Sequence, residues 1–187
     1  VYTGQFSSHR RRRHGNSFKQ CAPAQIVVCA QNHDQIGNRA KGDRLSALVA
    51  FEALKAANAT VLLSPYVPLL FMGEEYGETA PFLYFIDHGD PTLIESVRQG
   101  RKREFAAFGW TDIPDPYAQE TFDRSKLQPS LETDRQQQAH LKWCQALIHL
   151  RKSIPALGTG GKGHKIQIGS HAKSQLLIIH RRAKQGP

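Results

Sequence analysis

Acidic residues are absent from both ends of this sequence. Every Asp and Glu lies between residues 21 and 150, whereas residues 1 to 20 carry five Lys or Arg and residues 151 to 187 carry eight. The middle holds twelve basic against sixteen acidic side chains, so the formal charge of +9 belongs to the ends and not to one folded surface. Basic arms on a nucleic-acid-binding protein would have this distribution. So would a piece of a longer chain whose balancing acids lie elsewhere, and the start at Val1 and the stop at Pro187 just after a strand-like run favour the piece. Cysteine is scarce: Cys21, Cys29 and Cys144 have neither the even count nor the density of a disulfide framework. They predict a reducing, cytoplasmic compartment. No charged n-region followed by an apolar h-region opens the chain. The longest apolar stretch, VLLSPYVPLLFM at 61 to 72, is too short to cross a bilayer and holds two prolines. No membrane partner is expected.

What is present alternates. After a segment without periodicity (residues 1 to 24, with HRRRRH inside it), QIVVCA at 25 to 30 reads as a short buried strand and 31 to 43 as a polar loop. From Ser46 good helix formers follow, with Leu48, Phe51, Ala53 and Leu54 near helical spacing; Asn58 and Thr60 interrupt, and VLLS at 61 to 64 fits helix or strand. Pro65 and Pro68 bracket a turn, LLFM at 69 to 72 reads as a second buried strand, and GEEYGE at 73 to 78 as its exit loop. Strand, loop, helix, strand is the alternation of an α/β fold with a parallel sheet, which places its sites at the carboxyl ends of strands. DPTLIES starts a helix, capped by Asp90 with Pro91 in the first turn or by a Thr92–Glu95 capping box, with Leu93, Val97, Phe105 and Phe108 as its apolar stripe and a break at Gly100. Residues 109 to 130 read as a long loop. Thr133, Asp134 and Gln136 start another helix, with Leu141, Leu147, Ile148 and Leu150 on its face and Pro155 as its stop. GTGGKGHK at 158 to 165 is a connection, and KIQIG and SQLLIIH are antiparallel strands around SHAKS. Two strands bury no core alone.

Several motifs are weaker than they look. GTGGKGHK lacks the Lys-Ser/Thr ending of a phosphate loop and follows a helix instead of preceding one. His9 and His14 flank four arginines without interleaved aromatic platforms for bases, so no nucleic-acid partner is expected. Asp87, His88 and Asp90 are too close in sequence to converge on a metal without special backbone geometry. Cys29, inside an apolar run, reads as a small hydrophobe. The stronger group is Asn32, His33 and Asp34, with Asp43 and Arg44 closing the same loop and Glu74 and Glu75 at the exit of the next strand. Carboxylates accept from sugar hydroxyls, imidazole and amide groups donate, and a carboxylate near a developing oxocarbenium charge lowers its energy. The plain alternative is that Asp34 caps its loop or pairs with Arg39 or Arg44.

NHD after a strand resembles a motif of the α-amylase-type glycoside hydrolases. The longer strings YTGQFSSHRRRRHGNS, AQNHDQIGNRAKGDRLS, LLSPYVPLLFMGEEYGETAPFLYFIDH and VRQGRKREFAAFGW are similar to the trehalose-releasing members of that family, from about residue 2 to the 150s. The resemblance implies a partial (β/α)8 TIM barrel: QIVVCA as strand 7, PLLFM as strand 8, the helix near 135 to 152 as the last barrel helix, and residues 158 to 187 as a linker and the start of a C-terminal β-domain after a barrel part at 1 to 157. It implies a retaining hydrolase acting on maltooligosyltrehalose or a related α-glucan, without metal or organic cofactor. Asp34 then supports the transition state, and Asn32, His33, Glu74 and Glu75 belong to the substrate site. The family's nucleophile and acid/base map to no residue here, so the chain alone is expected to be inactive without the upstream part of its polypeptide. Its open strand edges are expected to self-associate. The alternatives are a non-catalytic carbohydrate-binding or structural module, with a start close to Val1, and a basic nucleic-acid module, with salt-sensitive retention on a polyanion.

Overall fold

The computed structural model describes residues 3–8, 10–106, 109–110, 112–159 and 165–183. Near the start, β1 (Phe6–Ser7) and β2 (Arg12–Arg13) pair antiparallel. The arginine run is therefore half of a small ribbon, extended by His14 N–H donating to the Gln5 carbonyl at 3.0 Å, and not a wholly irregular segment. His9 lies outside the described residues.

The next unit sets the site. It comprises β3 (Val27–Val28), α1 (His33–Gly37), α2 (Leu45–Leu48), α3 (Phe51–Leu62) and β4 (Val67–Pro68). β3 and β4 are parallel, with Val27 opposite Val67 and Val28 opposite Pro68. Val67 N donates to the Ile26 carbonyl at 2.9 Å and Leu69 N to that of Val28 at 2.8 Å. Pro68, which has no N–H, falls between these two donors, where it costs the ladder nothing. It is thus a strand residue and not the second edge of a turn. Both strands are shorter than expected, and 69 to 72 is not strand at all. Each has one neighbour among the described residues, and Val27 is 60% exposed. A buried parallel strand needs partners on both edges and cover on both faces.

α3 runs through Asn58 and Thr60. The Thr60 hydroxyl donates back to the Ala56 carbonyl at 2.8 Å, and Asn58 turns its amide into the interior towards His140. The ambiguous 61 to 64 segment is the end of this helix and its cap. α4 (Pro91–Ala106) starts where Asp90 Oδ1 accepts from Thr92 N at 2.8 Å and passes Gly100 unbroken. It buries Ile94 and Phe105 while Leu93 faces out; Phe108 lies outside the described residues. α5 (Gln119–Arg124) occupies part of the expected long loop, since the Thr121 hydroxyl donates to the Asp115 carbonyl and Leu83 N donates to the Ser125 hydroxyl at 3.0 Å.

α6 (Arg135–Ser153) is capped by Asp134, which accepts from Gln136 N and Gln137 N. It buries Gln137, His140, Cys144 and Leu147, and Leu62, Cys144 and Leu147 form the core contact with α3. Leu150 faces solvent. β5 (Lys165–His171) and β6 (Leu176–Arg182) pair antiparallel from Lys165 opposite Arg182 to His171 opposite Leu176, as their alternation predicts. Both faces of this hairpin are open, with Ile168 70% exposed. Residues 160 to 164 of the glycine-rich connection lie outside the described residues. The fold is a mixed α/β piece, with no closed barrel among the described residues. No helix among them is long and apolar enough to cross a membrane.

Candidate functional site

The chain leaves β3 at its carboxyl end and turns into α1 through Asn32. The Asn32 carboxamide oxygen accepts from Asp34 N at 2.8 Å and Gln35 Oε1 accepts from Asn32 N at 3.0 Å, a reciprocal cap that fixes the first turn. Asn32 Nδ2 also lies 3.7 Å from Cys29 Sγ, so Cys29 packs under the turn. His33 and Asp34 stand out from this platform, 68% and 72% exposed at their side chains, with Nε2 3.4 Å from Oδ1. An exposed pair of this kind adds little to stability. Asp34 makes neither of the alternative pairings: Arg39 binds Asp43 at 3.3 Å, and Arg44 is spent elsewhere.

His33 and Asp34 line a cleft of about 150 Å³ with Gly37, Asn38 and the run Phe82 to Phe85. Two devices hold that run in place. Gly42 has φ +59°, and a Cβ there would stand 2.7 Å from the Phe82 carbonyl, so only glycine admits the approach. Phe82 N donates to the Gly42 carbonyl at 2.9 Å across it. The rings of Phe71, Phe82, Phe85 and Phe122 then meet edge to face in series, with centroids 5.1, 5.7 and 5.1 Å apart. Arg101 ties α4 to the same loop, donating to the Gly37 carbonyl at 2.9 Å and to Asn38 Oδ1 at 3.0 Å while lying against the Tyr84 and Phe105 rings. In the sequence FLYF has no site role beyond its place in the family-like string; an aromatic run that follows Pro81 in a loop is the available signal.

The exit of β4 places its two acids differently. Glu74 is 2% exposed, and its Oε2 accepts from Phe71 N at 2.9 Å. Burial pushes its carboxyl above the usual range against the Phe71 and Gln31 hydrogen bonds, with neighbouring Glu75 adding to the rise. Glu75 is half-buried. Neither lines the His33–Asp34 cleft among the described residues. The two loops are locked together by Arg44, which is fully buried and donates to the carbonyls of Ala80 (2.6 Å) and Met72 (2.7 Å). Burial lowers its pKa, and Glu78, Tyr76, Glu74 and Glu75 act against that fall. Asp43, by contrast, lines a separate depression of about 330 Å³ with Arg39, Lys41 and Trp110, which shares no residue with the cleft. Asp87, His88 and Asp90 do not converge: no group of three or more His, Cys, Asp or Glu able to hold a metal occurs among the described residues.

An exposed imidazole and carboxylate beside aromatic walls can exchange hydrogen bonds with a neutral polyol and face a positive charge developing on it. No protein-family model matches the chain. A malto-oligosyltrehalose trehalohydrolase from Rhizobium sp. (strain M-11) is 44% identical over 164 residues, 86% of this chain and 28% of that protein. One from Saccharolobus solfataricus is 45% identical over 152 residues, 81% of this chain and 25% of that one. One from Deinococcus radiodurans is 37% identical over 161 residues, 83% and 27%. A crystal structure of a Salmonella typhimurium protein provisionally assigned as an alpha amylase superposes with a TM-score of 0.77 at 40% identity, covering 90% of this chain and 29% of that one. The chain spans about a quarter of the length of the curated relatives it matches. It belongs to the malto-oligosyltrehalose trehalohydrolase family.

Proposed function

We propose that the polypeptide carrying this chain is a glycoside hydrolase that cleaves the α-1,4 bond next to the trehalose end of maltooligosyltrehalose, releasing trehalose and a shortened maltooligosaccharide. One observation supports this above the others: a capped, exposed His33–Asp34 pair follows a parallel strand in a chain 37–47% identical to trehalohydrolases. In this reading β3 and β4 are the last two strands of a (β/α)8 barrel, α6 is its last helix, residues 1 to 157 are the end of the barrel domain, and 158 to 187 begin a β-domain.

Asp34 binds hydroxyls of the glucosyl unit under attack and stabilises the oxocarbenium-like charge on it; it transfers no proton. His33 donates to the same unit, and Asn32 holds both in place. Glu75 is the strand-exit carboxylate available to substrate, and Glu74 supports the loop from beneath. The reaction is a double displacement: a carboxylate attacks the anomeric carbon as a carboxylic acid protonates the leaving oxygen, and water then releases the glycosyl group. Both of those carboxyl groups lie on the remainder of the polypeptide, so this chain by itself turns over nothing. No cofactor takes part. The compartment is the cytoplasm, consistent with three free cysteines. Isolated, the chain self-associates through its unpaired strand edges.

The test is Asp34→Asn in the whole polypeptide. Trehalose release should slow by about a hundredfold or more in kcat, the scale of losing one transition-state contact, with an unchanged thermal midpoint because the side chain is exposed. An undiminished kcat overturns the assignment. Trehalose release by the purified 187-residue chain above a mock preparation would show that the catalytic groups lie within it.

A further inference from the structure

Arg101 does not line the cleft at His33 and Asp34, yet it touches three residues that do. From α4 its Nη2 donates to the Gly37 carbonyl at 2.9 Å and its Nη1 to Asn38 Oδ1 at 3.0 Å, while its Cζ lies 4.4 Å from the centroid of the Tyr84 ring. Gly37, Asn38 and Tyr84 are all walls of that cleft. The guanidinium is itself held: Glu104, one turn on, accepts from Nη1 at 3.0 Å, Phe105 offers its ring at 4.5 Å, and the side chain is 11% exposed.

α1 has five residues, too few to hold their own geometry in water. Its near end is fixed by the Asn32–Gln35 cap. Its far end finishes on carbonyls that no later turn of helix satisfies, and the one at Gly37 takes Arg101 Nη2. His33 and Gly37 are separated by about 6 Å along the helix axis. A swing at the far end therefore displaces the exposed pair at the near one. Tyr84, in the aromatic wall of the same cleft, is 40% exposed and rests on the same guanidinium. One planar group thus sets both the helix that carries the pair and a ring of the wall beside it. The point charge of a lysine could reach one of the two oxygens but would not span both and lie flat on the ring.

We propose that Arg101 is a positioning residue for the reaction: it fixes the His33–Asp34 pair against the Tyr84–Phe85 wall and acts on substrate only through them. The inference rests on the catalytic reading of Asp34. It makes α4, which lies outside the strand–helix–strand unit that bears the pair, part of the support of the transition state, because a carboxylate displaced by about 1 Å loses much of its effect there.

Kinetics of trehalose release by the whole polypeptide test this, with Arg101→Met and Arg101→Lys each made in the unsubstituted and in the Asp34→Asn background. Methionine keeps most of the stem against Tyr84 and Phe105 and removes every donor; lysine keeps the charge and loses the fork. In the unsubstituted background kcat should fall about tenfold or more with Arg101→Met, the scale of a small misplacement, and by a smaller factor with Arg101→Lys. In the Asp34→Asn background, where the carboxylate charge is already gone, either should cost less than about twofold, since two changes that act through one group do not add. A prop of the fold would slow both backgrounds by the same factor, and that result overturns the inference while leaving Asp34 its role. An undiminished kcat in Arg101→Met and Arg101→Lys overturns it too. If Arg101→Met does not fold, Arg101→Lys carries the same comparison between backgrounds. If Asp34→Asn alone keeps full kcat, the catalytic reading fails, and the positioning of that pair fails with it.

Discussion

Glu78 Oε2 accepts the Gln128 backbone N–H at 2.7 Å, joining the exit loop of β4 to a segment fifty residues further along the chain. The same carboxylate accepts from the Tyr76 hydroxyl at 3.0 Å and, through Oε1, from Thr79 N and Ala80 N at 2.8 Å each. Burial alone would raise this carboxyl, but the Ala80 and Gln128 N–H groups and the Tyr76 hydroxyl outweigh it and hold Glu78 below the usual carboxylate value. Tyr76 moves the other way: its own burial and its bond to Glu78 push it up to about 12. Four donors converge on two oxygens, so Glu78→Gln would turn an NH2 against at least one N–H. A loss of about 3 kcal/mol is expected from broken charge-assisted bonds. Urea unfolding should show it as a lower midpoint at an unchanged slope.

Acid should destabilise the fold in two steps. His140 is buried between α3 and α6, with Asn58 Nδ2 2.9 Å from its Nε2. That contact needs an unprotonated Nε2, and burial lowers the ring's pKa below 6.5, with the Glu74 backbone opposing and Lys55 assisting. The folded state therefore binds fewer protons than the unfolded one below pH 6.5, and stability is lost as pH falls from there towards the folded pKa. Glu78 follows the depressed-carboxylate rule: its contribution is complete above 4.5 and disappears as pH falls through its folded value. Glu74, raised by burial, opposes both, because its ionisation costs stability above 4.5. The urea midpoint of His140→Gln, which keeps an acceptor for Asn58, should fall less between pH 7 and 5 than that of the unsubstituted chain. Equal slopes would remove His140 from the acid response.

Legibility followed the range of the forces involved. The caps at Asn32, Asp90 and Asp134 act within three residues, and two of them, Asp90 and Asp134, were readable as helix starts. The β5–β6 hairpin was legible from its alternation. α6 was legible with Leu147 on its buried face, but the rest of that stripe was not: Gln137, His140 and Cys144 are polar or small, and His140 and Cys144 meet Asn58, 82 and 86 residues away. β3 and β4 are shorter than their apolar runs suggest because such runs report a buried setting, and among the described residues each strand has one partner. α5 is too short to show a 3.6-residue period and is held by Asp115 and Leu83. NHD was legible as a polar group after a strand. Its aromatic wall was not, since the close approach at Gly42 and the Phe71 ring, both remote in sequence from Phe82, bring it there.

Arg181 determines whether the hairpin travels with the rest. From β6 its Nη1 donates to the Leu63 carbonyl at 2.6 Å and the Leu157 carbonyl at 3.0 Å, and its Nη2 to that of Gly158. Arg151 does the same from α6, donating to the carbonyls of Leu62, Ser64 and Tyr66. Burial lowers both pKa values, and Arg151 adds to the fall at Arg181. Two guanidinium groups thus satisfy the carbonyls at the end of α3, in the turn to β4 and after α6. With both hairpin faces exposed, little apolar burial supplements them. Arg181→Leu keeps much of the stem's packing but strands three carbonyls, so it should free the hairpin without unfolding α3 and α6. Hydrogen exchange should then quicken in residues 165 to 182 by about tenfold or more while the amides of α6 keep their protection. Uniform acceleration across both would mean that Arg181 supports the whole fold and not the hairpin joint.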